Sequence, residues 1–272
     1  MTAMSIDRDA EKMLLELDRE ADDDRGLDTI LAEGRRRFEK AVARERRPIA
    51  RVGLIDSAVG ELFIADGPRG ILAIRFMDGR GLDPLRAMRG KYDIVEDRAA
   101  ADRIGEEIRR FLAGDHAALT HDVDFSLVES DFRRRALMRL CKVPLGSVTT
   151  YQALAAAIGA PDGQRAVGNA MGSNPIPIYV PCHRVIKSDL SIGNYGGGVD
   201  RKLKLLRAEG FTVGKDMRVP TNAVMGHQGT HIYCRPQCSA AKRVTSGKFY
   251  IYADSDRART AGLRACKLCR PA

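Results

Sequence analysis

Asn174-Pro-Ile-Pro-Ile-Tyr-Val-Pro-Cys182-His-Arg-Val185 is the stretch around which the rest of this chain is read. Its three prolines, at 175, 177 and 181, cannot occupy a helix interior, because each removes an N–H and locks φ. The segment is therefore rigid and turning. It ends at Cys182, followed directly by His183 and Arg184. A cysteine is a useful nucleophile only as thiolate, and cations, an imidazole or a helix N-terminus favour that form. All three could act here if the chain turns into a helix after Pro181. Read in isolation, the Cys-His pair fits a buried, inert cysteine better.

Working outward, Gly193-Asn-Tyr195-Gly196-Gly-Gly198 is a flexible loop with one aromatic residue, able to close over a flat ligand. A helix from Val199 presents Leu203 and Leu206 and ends at Glu209-Gly210, where Glu209 could orient His183. Upstream, Phe132–Leu140 reads as a helix stopped by Val143-Pro-Leu-Gly146. Thr149 or Thr150 can cap a second helix from Tyr151 through Ile158, and Gln164–Met171 starts a third with Arg165 near its beginning. Two short helices around the Gly159–Gly163 turn have the form of a helix-turn-helix. By itself that pattern is common. Next to a candidate nucleophile it gains weight.

Further upstream the period changes to two. Val52/Leu54, Leu62/Ile64 and Ile74/Phe76 alternate around turn residues, predicting an antiparallel meander. Ile104, Ile108 and Phe111 mark a helix face ending at Gly114, and the apolar stretch Val123–Val128 predicts a further strand. Residues 1–50 read as two charged helices, with Met13, Leu14 and Leu17 on one stripe and Leu27, Ile30 and Leu31 on another; they offer no chemistry. The 272 residues suffice for two domains, and 44% apolar with 30% charged content excludes a largely disordered chain. No apolar run reaches the roughly 18 residues of a membrane helix, and the acidic start does not read as a secretory signal. Six cysteines in such a chain suggest working thiolates rather than disulfides, with the cytoplasm as the default location. The net charge of +9 is concentrated at the end, where residues 221–272 carry 9 Lys/Arg against 2 Asp/Glu. That balance suits a polyanion such as nucleic acid, or merely a solubilising surface.

The remaining thiols apart from Cys141, which sits at a core-like helical position, fall as Cys234-x-x-x-Cys238 and Cys266-x-x-Cys269. Two close pairs suit a tetrahedral zinc site of four thiolates, with unlinked surface cysteines as the alternative. His231 is nearby and is not needed to complete it.

The run from Val143 to Gly210 resembles the DNA-binding and active-site domain of the O6-alkylguanine-DNA alkyltransferases, the methylated-DNA–protein-cysteine methyltransferases. Thr-Tyr151-Gln-Ala-Leu-Ala, Gln-Arg165-Ala-Val-Gly-Asn-Ala-Met, Asn174-Pro-Ile-Pro, Pro-Cys182-His-Arg-Val and Gly-Asn-Tyr195-Gly-Gly-Gly carry the resemblance. It implies a stoichiometric repair protein for double-stranded DNA containing O6-alkylguanine, with O4-alkylthymine as a second candidate. Cys182 would accept the alkyl group, and His183 would take the thiol proton through a water while Glu209 holds the imidazole. Asn174 would brace the turn, and Tyr151 would donate a proton toward the guanine ring. Arg165 would fill the gap left by the everted base. Thr150, Gln164, Ala166 and Asn169 would join Tyr151 and Arg165 at the DNA. Val185, Tyr195 and Gly196 would form the base pocket, Val185 offering its carbonyl to the exocyclic amine. No cofactor is implied for transfer to Cys182, and no membrane or second copy. The chain departs from the family's upstream Gly-Thr-x-Phe-Gln segment, reading Ser130-Asp-Phe-Arg133, has no tryptophan, and carries Gly196 where many relatives have serine.

The last 45 or so residues, with His231-Ile-Tyr-Cys234-Arg-Pro-Gln-Cys238 and the stretch Thr260–Cys269, resemble the metal-binding domain of the Ada adaptive-response protein. That resemblance implies zinc held by Cys234, Cys238, Cys266 and Cys269, and methyl acceptance from a DNA phosphotriester at Cys234. The segment lies at the opposite end of the chain from its usual place, without the family's activator helices. The expected architecture is α/β (α+β): a charged helical leader (1–50), an α/β scaffold (51–128), a helical, winged-helix-like DNA-binding and active-site domain (129–218), and a four-cysteine zinc module (219–272). The competing functions are an Ada-like alkylation sensor and a thiol hydrolase built on Cys182, His183 and an Asn. The helix-turn-helix before the cysteine argues against the hydrolase.

Overall fold

The computed structural model describes residues 27–45, 47–78, 84–242 and 249–271. Two compact units are distinguished, Met1–Arg47 and Pro48–Ala272. In the first, helix α1 (Leu27–Glu45) carries Ile30 and Leu31, Leu31 being 61% exposed. Met13, Leu14 and Leu17 lie outside the described residues.

The second unit begins with β1 (Ile49–Ile55), β2 (Leu62–Gly67) and β3 (Gly70–Phe76). They form the expected antiparallel meander, and β4 (Asp93–Glu96) adds a parallel strand to β1, giving the order β3-β2-β1-β4. Helix α2 (Arg98–Leu112), capped by Asp97 Oδ1 on Ala100 N at 2.9 Å, buries Ile104, Ile108 and Phe111. Leu54 of β1 is 48% exposed, whereas its neighbour Ile55 is buried in the core that Ile104 and Ile108 share. The strand expected over Val123–Val128 is not formed. Val123 makes a single bridge to Ile71, and Phe125–Leu127 winds into a 3-10 turn capped by Asp124.

Helix α3 (Asp131–Leu140) leads into β5 (Ser147–Thr150), and Thr150 Oγ1 then caps α4 (Tyr151–Ala157) by accepting Ala153 N at 3.0 Å. Helix α5 (Gln164–Gly172) follows the glycine turn. Cys141 is the C-cap of α3 and is exposed, not a core thiol, because Ala136, Leu137 and Leu140 occupy the buried face of the helix. After Pro181 the chain makes only a three-residue 3-10 turn, Cys182–Arg184, before β6 (Val185–Ile186) and α6 (Val199–Ala208). The last quarter supplies β7 (Val224–His227), β8 (Ile232–Cys234), α7 (Ser239–Lys242), β9 (Phe249–Tyr252), α8 (Ser255–Thr260) and β10 (Arg264–Ala265). These strands join β5 and β6 in one six-stranded sheet of order β10-β8-β7-β9-β5-β6. The largest apolar core runs from Ile64, Ile74 and Ile104 through Leu137, Leu154 and Val167 to Ile176 and Cys182. Each such buried aliphatic side chain contributes about 1.5–3 kcal/mol, so scaffold and helices hold each other in place. Among the described residues no helix is long and apolar enough to cross a membrane.

Candidate active site

The proline-rich turn is pinned from three directions. Ile74 N donates to Pro175 O at 2.8 Å, Arg75 Nη1 to Asn174 O at 3.1 Å, and Arg133 Nη2 to Ser173 O at 2.8 Å. Tyr179 Oη donates to Glu107 Oε2 of α2 at 2.6 Å. Inside the turn, Asn174 Oδ1 accepts Ile176 N at 3.0 Å, while Nδ2 reaches Val180 O at 2.8 Å and Cys182 Sγ at 3.0 Å. Ile178 is buried with φ of +79°, a left-handed conformation costly for a β-branched residue and tolerated where packing over-determines the chain.

Cys182 is 6% exposed and lies in the wall of a cavity of about 660 Å³, with Arg75, Phe76, Asn174, Pro177, Tyr195 and Gly196 among its neighbours. Tyr195 Oη stands 3.8 Å from Sγ. The rings of Tyr195 and Phe76 meet edge-on, centroids 6.4 Å apart, and Arg201 covers the Phe76 ring at 4.6 Å from its centroid. Burial raises the Cys182 thiol above its ordinary value, although Asn174, Tyr195 and Lys202 all favour the thiolate. The resting sulfur is therefore held as a thiol, primed by donors and short of a base.

That base is adjacent. His183 is fully buried, and its Nε2 lies 2.7 Å from Glu209 Oε1. Glu209 also receives Arg184, with Nε at 2.8 Å from Oε2 and Nη2 at 2.7 Å from Oε1. Burial would raise the Glu209 carboxyl, but the charges and hydrogen bonds of His183 and Arg184 outweigh it and bring it to about 2. Burial depresses His183, and the neighbouring Arg184 and Lys202 charges add to this against the pull of Glu209. A neutral imidazole beside an ionised, acceptor-only carboxylate carries its proton on Nε2. Its Nδ1 is then a bare acceptor, and that buried atom has no hydrogen-bond partner.

Tyr151 opens α4, half-buried, and burial together with the Cys182 charge raises its hydroxyl, so it remains a proton donor at neutral pH. Gln164, Arg165, Ala166 and Asn169 form the outer face of α5, whose opposite face buries Val167, Ala170 and Met171. Thr150 is occupied as the cap of α4. Val185 stands apart from the other expected pocket residues. It is fully enclosed, its carbonyl accepts Lys202 Nζ at 2.6 Å, and the described wall of the cavity does not include it.

Two residues hold places the sequence reading does not give them: it takes Arg184 only as a cation beside the thiol and does not single out Lys202. Arg184 saturates Glu209 and donates Nη1 to Val143 O at 2.6 Å. Lys202 is fully buried, bound to Val185 O and Ile192 O at 2.6 Å each, and burial lowers it to about 8. The helical spacing of Lys202 with Leu205 and Leu206 was the only available hint.

A second centre lies in the last quarter. The sulfur atoms of Cys234, Cys238, Cys266 and Cys269 lie within 4.8 Å of one another. Zinc–sulfur bonds of about 2.3 Å in a tetrahedron place sulfurs roughly 3.8 Å apart, so a small inward movement closes the set on a metal. Four soft sulfur donors fit zinc, and Arg235 N already points at Cys269 Sγ at 3.4 Å.

Comparison with known proteins follows the same division. Residues 131–211 match the family described as 6-O-methylguanine DNA methyltransferase, DNA binding domain, and residues 211–272 match the metal binding domain of Ada. The methylated-DNA–protein-cysteine methyltransferase of Rattus norvegicus is 38% identical over 176 residues, covering 60% of this chain and 83% of its own. The Homo sapiens protein of that name is 34% identical over 171 residues, covering 59% and 81%. The crystal structure of an Arg-to-Lys variant of Mycobacterium tuberculosis OGT superposes with a TM-score of 0.50 at 30% identity, covering 62% of this chain and 97% of that one.

Proposed function

Because this chain belongs to the methylated-DNA–protein-cysteine methyltransferase family, a family of DNA-repair proteins that transfer alkyl groups to a cysteine of their own, we propose that Cys182 is its acceptor and O6-alkylguanine in double-stranded DNA its substrate. The observation that supports this most directly is the placement of Cys182 Sγ in the cavity wall, 3.0 Å from Asn174 Nδ2 and next to the His183–Glu209 pair.

The base must leave the duplex before a protein thiol can reach its O6 substituent. The outer face of α5 enters the groove, and Arg165 occupies the gap. Tyr195 and Gly196 wall the everted base. His183 Nδ1 accepts the Cys182 proton through one water, while Glu209 and Arg184 keep the imidazole in the required tautomer. The sulfur electron pair forms the S–C bond as the C–O6 bond breaks. The pair released onto the purine is met by the Tyr151 proton, so the base departs neutral. The thioether has no leaving group and no second catalyst, so each molecule acts once. We read the chain as a monomer of the reducing cytoplasm, a compartment its six free thiols suit. Residues 51–128 then serve as scaffold, 129–218 as the DNA and acceptor segment and 219–272 as the metal module, with residues 1–50 as a charged helical leader.

DNA carrying a labelled O6-methyl group tests this: label moves to protein, plateaus near one equivalent, and is lost in Cys182→Ala. Repeated turnover, or transfer that survives in the variant, overturns it.

Cys234, Cys238, Cys266 and Cys269 would hold zinc, which when bound keeps its thiols deprotonated. The match to the Ada metal-binding domain supports a second reading, methyl acceptance from a phosphotriester at Cys234. Mapping methylated cysteines by peptide mass after reaction with alkylated DNA separates the two acceptors.

A further inference from the structure

The four-cysteine segment and the acceptor turn are parts of one hydrogen-bonded sheet. From Cys234 the ladder passes to Met225 of β7, from Met225 to Ile251 of β9, and from Ile251 to Val148 of β5. Strand β5 pairs in turn with β6, Thr149 against Val185. Strand β6 follows directly on the Cys182–Arg184 turn, and β5 ends at the cap of the helix that carries Tyr151. The core beneath is shared as well, with Val148, Ile186, Leu206 and Phe211 packed against Ile251 and Ala253.

One side chain makes the link specific. Arg257, on α8, donates Nη1 to the backbone carbonyl of Glu209 at 3.1 Å. A helix C-cap carbonyl has no partner inside its own helix, and Glu209 is the C-cap of α6. The guanidinium lies against Gly146 and Gly210, both at positive φ (+69° and +70°), where a Cβ would collide with it. Asp254 Oδ1 accepts Arg257 N at 2.8 Å, which fixes the arginine at the start of its helix. Arg139 of α3 makes a parallel tie, donating to Tyr250 Oη of β9 at 2.8 Å.

We propose that Arg257 is a positioning residue for alkyl transfer at Cys182, and that the four-cysteine segment is a built-in support of the acceptor site rather than an appended module. The inference rests on the reading of Cys182 as acceptor. Glu209 orients His183, and Arg257 anchors the backbone of Glu209 from the far side. Closing the four thiols holds β8 and β10 together, and through β7 and β9 it secures the outer flank of β5. Opening them lets the sheet fray inward from that edge and frees α8. The imidazole then loses its orientation without any contact to substrate having changed.

The test uses the full chain with zinc bound. Arg257→Met keeps the stem and removes the donors, and Arg257→Lys restores one. In single-turnover transfer from O6-methylguanine DNA, Arg257→Met is expected to slow the reaction roughly tenfold, the scale of one lost oriented hydrogen bond. DNA affinity and zinc content stay unchanged, and the lysine variant recovers part of the rate. The pH profile of Cys182 modification by iodoacetamide, read by peptide mass, shifts upward, since of the groups around the sulfur (Asn174, Tyr151, Tyr195, Lys202, and His183 with Glu209 and Arg184) the His183–Glu209 pair is no longer held in register. An unchanged rate and profile overturns the proposal, as does a slowing explained wholly by weaker DNA binding. Should the methionine variant fail to fold, hydrogen exchange in the unaltered chain decides. Chelation of zinc is expected to speed exchange at Val148–Thr150 and Val185–Ile186, and no change there refutes the coupling. An unaltered chain that transfers no label at all refutes the acceptor reading itself.

Discussion

At Glu209 an imidazole and a guanidinium converge on one carboxylate, and the guanidinium sets the state of the neighbouring imidazole. Arg184 is permanently charged and bidentate, so it neutralises Glu209 and leaves His183 free to remain uncharged. Glu209→Gln removes the charge that compensates Arg184 inside the protein. Breaking one side of a buried pair costs about 3–5 kcal/mol, and the amide can present its NH2 group to the imidazole in place of an acceptor. Urea denaturation should show that loss, and single-turnover transfer should slow in parallel; a variant as stable and as fast as the parent would contradict the assignment. The pH dependence of stability has a definite sign. Glu209 is brought from 4.5 to about 2, so its contribution is complete above about pH 5 and is lost as pH falls toward 2. Glu107, also held at about 2 despite its burial by hydrogen bonds from Thr120, Tyr179 and His121, acts in the same direction. His183, depressed below 6.5, costs stability as pH falls below that value, because the unfolded chain binds the proton first. The melting temperature should therefore decline from near neutrality through pH 2, and the Glu209→Gln variant should show a shallower decline below pH 5.

Helix α5 illustrates how one element divides its labour. Val167, Ala170 and Met171 face the core, while Gln164, Arg165, Ala166 and Asn169 face outward, and a glycine without a side-chain cap leaves the first turn open. If Arg165 fills the gap left by an everted base, its removal should matter only where there is a stack to open. Arg165→Ala should slow transfer from duplex DNA by about 10–100-fold, since eversion costs a few kcal/mol, and leave the reaction with free O6-methylguanine base unchanged. Equal slowing with both substrates would assign Arg165 to the chemistry instead. The turn at 174–180 shows the opposite economy, with the side-chain amide of Asn174 engaged at both ends and the strain at Ile178 held by its surroundings.

Across the whole molecule, the apolar core passes from the scaffold to the acceptor turn, and the second sheet passes from that turn to the cysteines. Cys266→Ser should reduce bound zinc from about one equivalent to a small fraction, measured by metal analysis, and lower the melting temperature by several degrees. A fully zinc-loaded serine variant would remove Cys266 from the ligand set. Structural zinc contributes directly to folding free energy, so the effect belongs to the fold as well as to the site.

Local patterns were sufficient to locate the meander, the helix of Ile104, Ile108 and Phe111, the paired helices before the turn, and the positions of Cys182 and of the four-cysteine cluster. Each depends on periodicity, proline stereochemistry or ligand spacing, which are properties of neighbours along the chain. Val123–Val128 misled because an apolar run has the same composition whether it pairs or winds. The pairing of Arg184 with Glu209 and the burial of Lys202 went unnoticed because an arginine or lysine is ordinarily a surface residue, and only burial beside Glu209 or against two carbonyls gives it another meaning. The pairing of β9 with β5 and the reach of Arg257 to Glu209 join residues far apart in the chain. Such contacts leave no local signature, since they are selected by the packing of the folded core and not by the residues on either side.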